Sequence, residues 1–144
     1  MVSKHFSLVE FTRSDTAERQ GISNMPSAKH MANIRALALG MEQVRSILGS
    51  QPIKITSGYR SPQLNAVVGG VPTSAHALGY AADFSHPNMT SLEVAKALDE
   101  SRLAFDQLIH EPSRKIVHIS FDPRLRREVK TQEGGPGSPV RWGL

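Results

Sequence analysis

The stretch FDQLIHEPSRKIVHIS, Phe105 to Ser120, decides the fold. Two apolar-rich runs, one through Leu108 and Ile109 and the other through Ile116, Val117 and Ile119, flank a Glu-Pro-Ser-Arg turn, which is the pattern of a β-hairpin. Upstream, TSLE from Thr90 to Glu93 reads as a capping box that opens a helix through Val94, Ala97 and Leu98. YAADF, Tyr80 to Phe84, reads as another strand. In PIKITSGYRSP, Ile53 and Ile55 alternate with Lys54 and Thr56 as in a half-buried strand that ends in a Ser-Gly turn. Ser61 followed by Pro62 has the form of a cap and first position of a short helix, and VVGGVPTS, Val67 to Ser74, reads as a flexible loop. Still farther upstream, Ile34, Leu37, Met41, Val44 and Leu48 recur at helical spacing behind an N-cap at Ser27, with Gly49 as the stop. The spacing predicts a helix over about residues 28 to 48. Residues 1–26 read as an arm packed on the domain. The tail GGPGSPVRWGL, Gly134 to Leu144, has linker composition and is expected to be extended or mobile. The pattern predicts an α+β fold, a small antiparallel sheet with helices packed on one side, as one domain over residues 1–133 followed by a tail over 134–144.

The 144 residues suffice for a single core and leave no room for a second domain of similar size. With no cysteine there is neither a disulfide framework nor a thiolate metal site, so any metal must be held by histidine and carboxylate, which makes the six histidines worth locating. The opening MVSKHFSLVEF has no apolar run of signal-peptide length, and no stretch approaches the ~20 apolar residues of a membrane span. A soluble chain without an export signal of its own is the expectation. The net charge of +4 favours acidic partners, either nucleic acid or an anionic envelope polymer.

In SAHALGYAADF, Ser74 to Phe84, a histidine precedes an aspartate by seven residues, and the reading sets His76 at the start of a strand and Asp83 in its body. His118 lies in the second strand of the hairpin. Neighbouring strands run about 4.8 Å apart, so side chains on one face can converge to coordination distance. Two imidazoles and one carboxylate form a three-ligand set that leaves a position for water, the arrangement of a catalytic zinc. Gly79 allows a tight turn between the first two ligands. Glu111, seven residues before His118, is positioned to lean over the open position as the base that a zinc hydrolase needs. Arg60, at the end of a neighbouring strand, suits a bidentate pair with a substrate carboxylate. Each residue also has a plain alternative: strand-end caps for the histidines and aspartate, a solvated turn for Glu111, a surface ion pair for Arg60.

Taken in order, SGYRSPQLNAVVGG, SAHALGYAADF and IVHIS resemble the M15 peptidases, the zinc D-alanyl-D-alanine carboxypeptidases with the related murein endopeptidases and phage endolysins. The likeness covers about residues 5–130, and the opening FSLVEFTRSDTAERQGISNMP is similar to phage-type members. It implies a hedgehog/D-Ala-D-Ala-peptidase-like fold, zinc bound by His76, Asp83 and His118, Glu111 as catalytic acid/base, and Arg60 with Ser74 contacting substrate. It also implies peptidoglycan stem peptides as the partner, with neither nucleic acid nor membrane, and a monomer made in the cytoplasm that reaches the wall through a lysis system or a virion. The sequence departs from common members at the third ligand, where Glu111 stands farther from His118 and Ile116 replaces a second histidine. Asp106 and His110 are therefore reserve bases. By strand alternation Glu111 shares a face with Gln107 and Ile109, Asp106 and His110 share the other, and only one set can face the metal. Two rival readings are a non-haem iron oxygenase, which also uses two histidines and a carboxylate, and a non-enzymatic wall-binding module that exploits the charge.

Overall fold

The structure, a computed structural model, describes residues 1–135 and 137–144. The N-terminal arm folds into two short helices, α1 (Leu8–Thr12) and α2 (Asp15–Gln20), and sends Phe6 and Phe11 into the core. Ser27 Oγ accepts the His30 amide to open α3 (Ala28–Ile47), whose Ile34, Leu37, Met41 and Val44 are fully buried. The helical spacing thus predicts α3 within a residue at each end. β1 (Lys54–Ser57) follows with Ile53 and Ile55 buried and Lys54 and Thr56 exposed. The Ser61 hydroxyl then accepts the Leu64 amide and, with Pro62 in its first turn, starts α4 (Pro62–Val67). α5 (Ala75–Leu78) is a single turn that leads into β2 (Ala81–Ser85).

The capping box closes as read: Thr90 Oγ1 accepts the Glu93 amide at 3.1 Å, Glu93 accepts the Thr90 amide at 3.0 Å, and α6 (Ser91–Asp99) begins there. The hairpin is β3 (Gln107–Glu111), a 3₁₀ turn at Pro112–Arg114, and β4 (Ile116–Ser120). β5 (Glu128–Thr131) and β6 (Arg141–Trp142) complete a six-stranded sheet in the order β1-β2-β4-β3-β5-β6. All neighbours are antiparallel except β3 and β5, which are parallel, so the sheet is larger and more mixed than the sequence reading has it. Asp106 is the physical reason. Its carboxylate accepts the Arg126 backbone amide at 3.0 Å and the Arg126 guanidinium at 2.9 Å through two nitrogens, and the Glu128 amide then bonds the Asp106 carbonyl. The returning chain is clamped alongside the start of β3 and runs in its direction.

Leu108, Phe84, Val117 and Ile119 lie on the face that packs with α3 and α6, which holds the core together with Phe6, Phe11 and Phe105. The opposite face carries Asp83, His118 and Glu111. The end of the tail pairs with the sheet through β6: the Gly143 amide bonds the Val129 carbonyl, Thr131 Oγ1 donates to Gly143, and the Lys130 ammonium lies 4.7 Å from the centre of the Trp142 ring. No helix among the described residues is long and apolar enough to cross a membrane.

Candidate metal centre

The three predicted ligands converge. Asp83 and His118 are register partners across β2 and β4, and therefore share a face. His76 is not at the start of a strand, as the sequence reading has it, but on the α5 turn. Gly79 causes the difference: at φ 83° it ends the turn in the left-handed region, with the His30 carbonyl 3.1 Å from where a Cβ would sit. The turn swings His76 over the sheet, so that its Nε2 lies 3.2 Å from Asp83 Oδ1, while His118 Nδ1 lies 2.9 Å from the same oxygen. One donor atom from each of the three residues lies within 4.8 Å of the others. His76 and Asp83 are buried and His118 nearly so.

The donor chemistry fits a cation. His76 Nδ1 is 2.7 Å from the Gly58 carbonyl, an acceptor only, so this nitrogen carries the proton and Nε2 presents a lone pair. That lone pair meets a carboxylate oxygen, and two acceptors at 3.2 Å call for a proton or a metal ion between them. With a proton in that place, burial alone would raise the Asp83 carboxyl, but the imidazolium charge of His76 and the bonds from His118 and His76 outweigh it and hold the group well below the usual carboxylate range. Two neutral nitrogens and one anionic oxygen, with one imidazole oriented by a backbone carbonyl, is a donor set suited to zinc.

Glu111 lies on the same face and is 4% exposed, far from the solvated turn of its plain alternative. Arg114 links it to the ligand cluster, with Nη1 donating to Glu111 Oε1 at 3.0 Å and Nη2 reaching Asp83 Oδ2 at 3.5 Å. Asp106 and His110 turn the other way. The first is bound by Arg126, and His110 Nε2 is 2.9 Å from Ser91 Oγ at the start of α6, under the sheet. Glu111 thus lies by the ligand cluster, whereas Asp106 and His110 hold partners elsewhere.

Arg60 follows β1 and lies near Asp83 and Arg114. Its Nη2 donates to Ser74 Oγ at 3.1 Å and its backbone amide to the His76 carbonyl at 3.1 Å, whereas its buried Nε has no partner among the described residues. Burial lowers its basicity, and the nearby Asp83 opposes that while Arg114 adds to it. The segment is held by side chains that the sequence reading passed over. Asn24 donates to the Thr12 and Tyr59 carbonyls and accepts the Ser61 amide, His30 Nδ1 lies 3.0 Å from the Tyr59 hydroxyl, and Gly58 presses on Phe11 so closely that an added Cβ would lie 2.5 Å from its carbonyl oxygen. Arg114 was also missed. Its signal was the three-residue spacing from Glu111 in EPSR, which one turn of 3₁₀ helix brings together.

Comparison with known proteins agrees with this geometry. A family model described as Peptidase M15 matches residues 4–120. A protein of Streptomyces albus G named zinc D-Ala-D-Ala carboxypeptidase is 28% identical over 93 residues, which are 65% of this chain and 36% of that protein. The chain thus aligns with little more than a third of that relative's length.

Proposed function

Because this chain belongs to the M15 peptidase family, we propose that it is a zinc-dependent peptidase that cleaves peptide bonds in the stem peptides of peptidoglycan, as a lysis endopeptidase of phage or prophage type. The observation that carries the reading is the convergence of His76, Asp83 and His118 beside Glu111 and Arg60. His76 Nε2, an Asp83 oxygen and His118 Nδ1 would hold the metal. Zinc bound there supplies Lewis acidity, polarising a scissile carbonyl and acidifying water. Glu111 takes a proton from the attacking water and returns it to the leaving amine. Arg114 supplies the counter-charge that makes a buried Glu111 tolerable. Arg60, with Ser74 at its side, fixes a substrate carboxylate through its guanidinium and so orients the peptide bond.

The likeness of the opening segment to phage-type members supports the lysis role, which needs delivery to the wall by a lysis system or a virion. A net charge of +4 suits residence on an anionic polymer. Severing cross-linking stems weakens a wall, whereas trimming a free end does not, and this favours an endopeptidase. The name of the Streptomyces albus G relative favours a second reading, a D-alanyl-D-alanine carboxypeptidase, since Arg60 could hold the terminal carboxylate equally well. Digestion of purified sacculi with the zinc-loaded protein, followed by mass spectrometry of the products, separates the two. New N-termini inside the stems or at cross-links establish the endopeptidase, free D-alanine alone establishes the carboxypeptidase, and intact sacculi refute both.

A further inference from the structure

A cleft of about 720 Å³ opens beside Arg60, and its walls carry an unusual run: Lys54, Ile55, Thr56 and Ser57, every residue of β1. Successive side chains of a strand point to opposite faces, so a cavity that touches four in a row must lie along the strand's edge and not over one face. β1 is the outermost strand on its side of the sheet. Its partner β2 satisfies one edge only, which leaves the other with outward N–H and C=O groups to offer. The far wall is the link from α1 into the start of α2, from Arg13 to Thr16, and Leu64 of α4 with Val68 just past its end completes the lining. The cleft also carries a sign. Arg13, Lys54 and Arg60 line it against a single anion, Asp15; Arg13 and Lys54 are exposed and form no ion pair among the described residues, and Arg60 keeps its buried, unpartnered Nε.

We propose that this cleft is the substrate-binding channel, in which an extended acidic peptide pairs with the free edge of β1 as an added strand and sets its carboxylates on Lys54, Arg13 and Arg60. The inference rests on the peptidase reading above and deepens it, because β1 runs directly into Gly58, Tyr59 and Arg60, and Gly58 holds His76. Main-chain pairing supplies affinity that tolerates varied side chains, and the three cations select acidic peptides. This division of labour suits stem peptides, which carry free carboxylates along their length.

The probe is the tetrapeptide L-alanyl-γ-D-glutamyl-diaminopimelyl-D-alanine added to the zinc-loaded protein, with amide hydrogen exchange followed residue by residue. Binding is expected to slow exchange at amides within Lys54–Ser57. Reversing a charge in Lys54→Glu or Arg13→Glu is expected to weaken tetrapeptide binding about 3- to 10-fold each, as befits exposed ion pairs. Amidating the peptide carboxylates should erase the difference between wild type and variants, and unchanged thermal melting shows that the variants fold. Exchange at Lys54–Ser57 that is untouched by saturating tetrapeptide, or variants that bind it as wild type does, overturns the channel. The amide readout does not depend on turnover. A wild type that digests sacculi while β1 stays unprotected refutes the channel alone, whereas protection of β1 in a protein that leaves sacculi intact keeps the channel and refutes the hydrolase.

Discussion

Replacing Gly58 by alanine tests how the N-terminal arm and the metal centre are coupled. A Cβ at this position would lie 2.5 Å from the Phe11 carbonyl oxygen and 2.9 Å from its Cα, where ordinary contact begins at 3.4 Å, so one backbone must retreat by about 1 Å. Neither yields easily. Phe11 is wholly buried, and its carbonyl already accepts the Tyr59 amide at 2.7 Å. Forced overpacking of this kind costs about 1–3 kcal/mol. An unfolding entropy of roughly 2.1 cal/mol/K per residue over 144 residues converts that into a fall of about 3–10 °C in Tm, measured by calorimetry on the metal-free protein. The Gly58 carbonyl also fixes the His76 ring, so the same shift should weaken zinc binding about 10- to 100-fold in a chelator competition assay. A variant that melts within about 1 °C of wild type and binds zinc equally well would refute both the packing and the coupling.

Two further substitutions separate chemistry from support. Glu111→Gln should retain zinc and lower kcat by roughly two to four orders of magnitude, the usual worth of a positioned base; near-normal turnover would discharge Glu111 from the role. Asp106→Asn should leave zinc binding intact and destabilise the fold by about 1–3 kcal/mol at neutral pH, since it weakens the bonds from Arg126. Those bonds outweigh burial, which acts the other way, and hold the Asp106 carboxyl below its ordinary value, so its stabilisation is present above the ordinary aspartate value and is lost as pH falls through the lowered one. Denaturant melts should accordingly differ between wild type and variant at neutral pH and converge as the medium is acidified through and below the ordinary aspartate range; a gap that persists in acid contradicts the assignment.

Local signals with a mechanism were legible. Ser27, Ser61-Pro62 and Thr90 with Glu93 each start a helix because each supplies an oxygen to an unpaired amide, and that requirement is written within four residues of sequence. The hairpin and the ligand triad were legible for a similar reason, since alternation puts Asp83 and His118 on one face whatever surrounds them. Features that depend on distant partners were not. α1 and α2 are too short for a period to show, and β5 owes its parallel place to Asp106, 20 residues before Arg126. Gly79 signals a tight turn in VVGGVPTSAHALG, but not that the residues before it coil into a helical turn instead of leading straight into a strand; that turn is fixed by Gly79 lying against α3. Asn24 was overlooked because a lone asparagine in a turn-rich segment carries no mark of the three backbone groups that it ties together, 12 to 37 residues away.

The central claim is that His76, Asp83 and His118 hold a zinc ion that hydrolysis requires. It is tested most directly by stripping the protein of metal and following digestion of sacculi as zinc is returned. Activity is expected to be absent at first, to rise in proportion to added zinc, and to level off at about one equivalent per chain, with His118→Ala folded but inactive throughout. Full hydrolysis by protein holding less than about a tenth of a zinc per chain, or undiminished activity in His118→Ala, would contradict the claim.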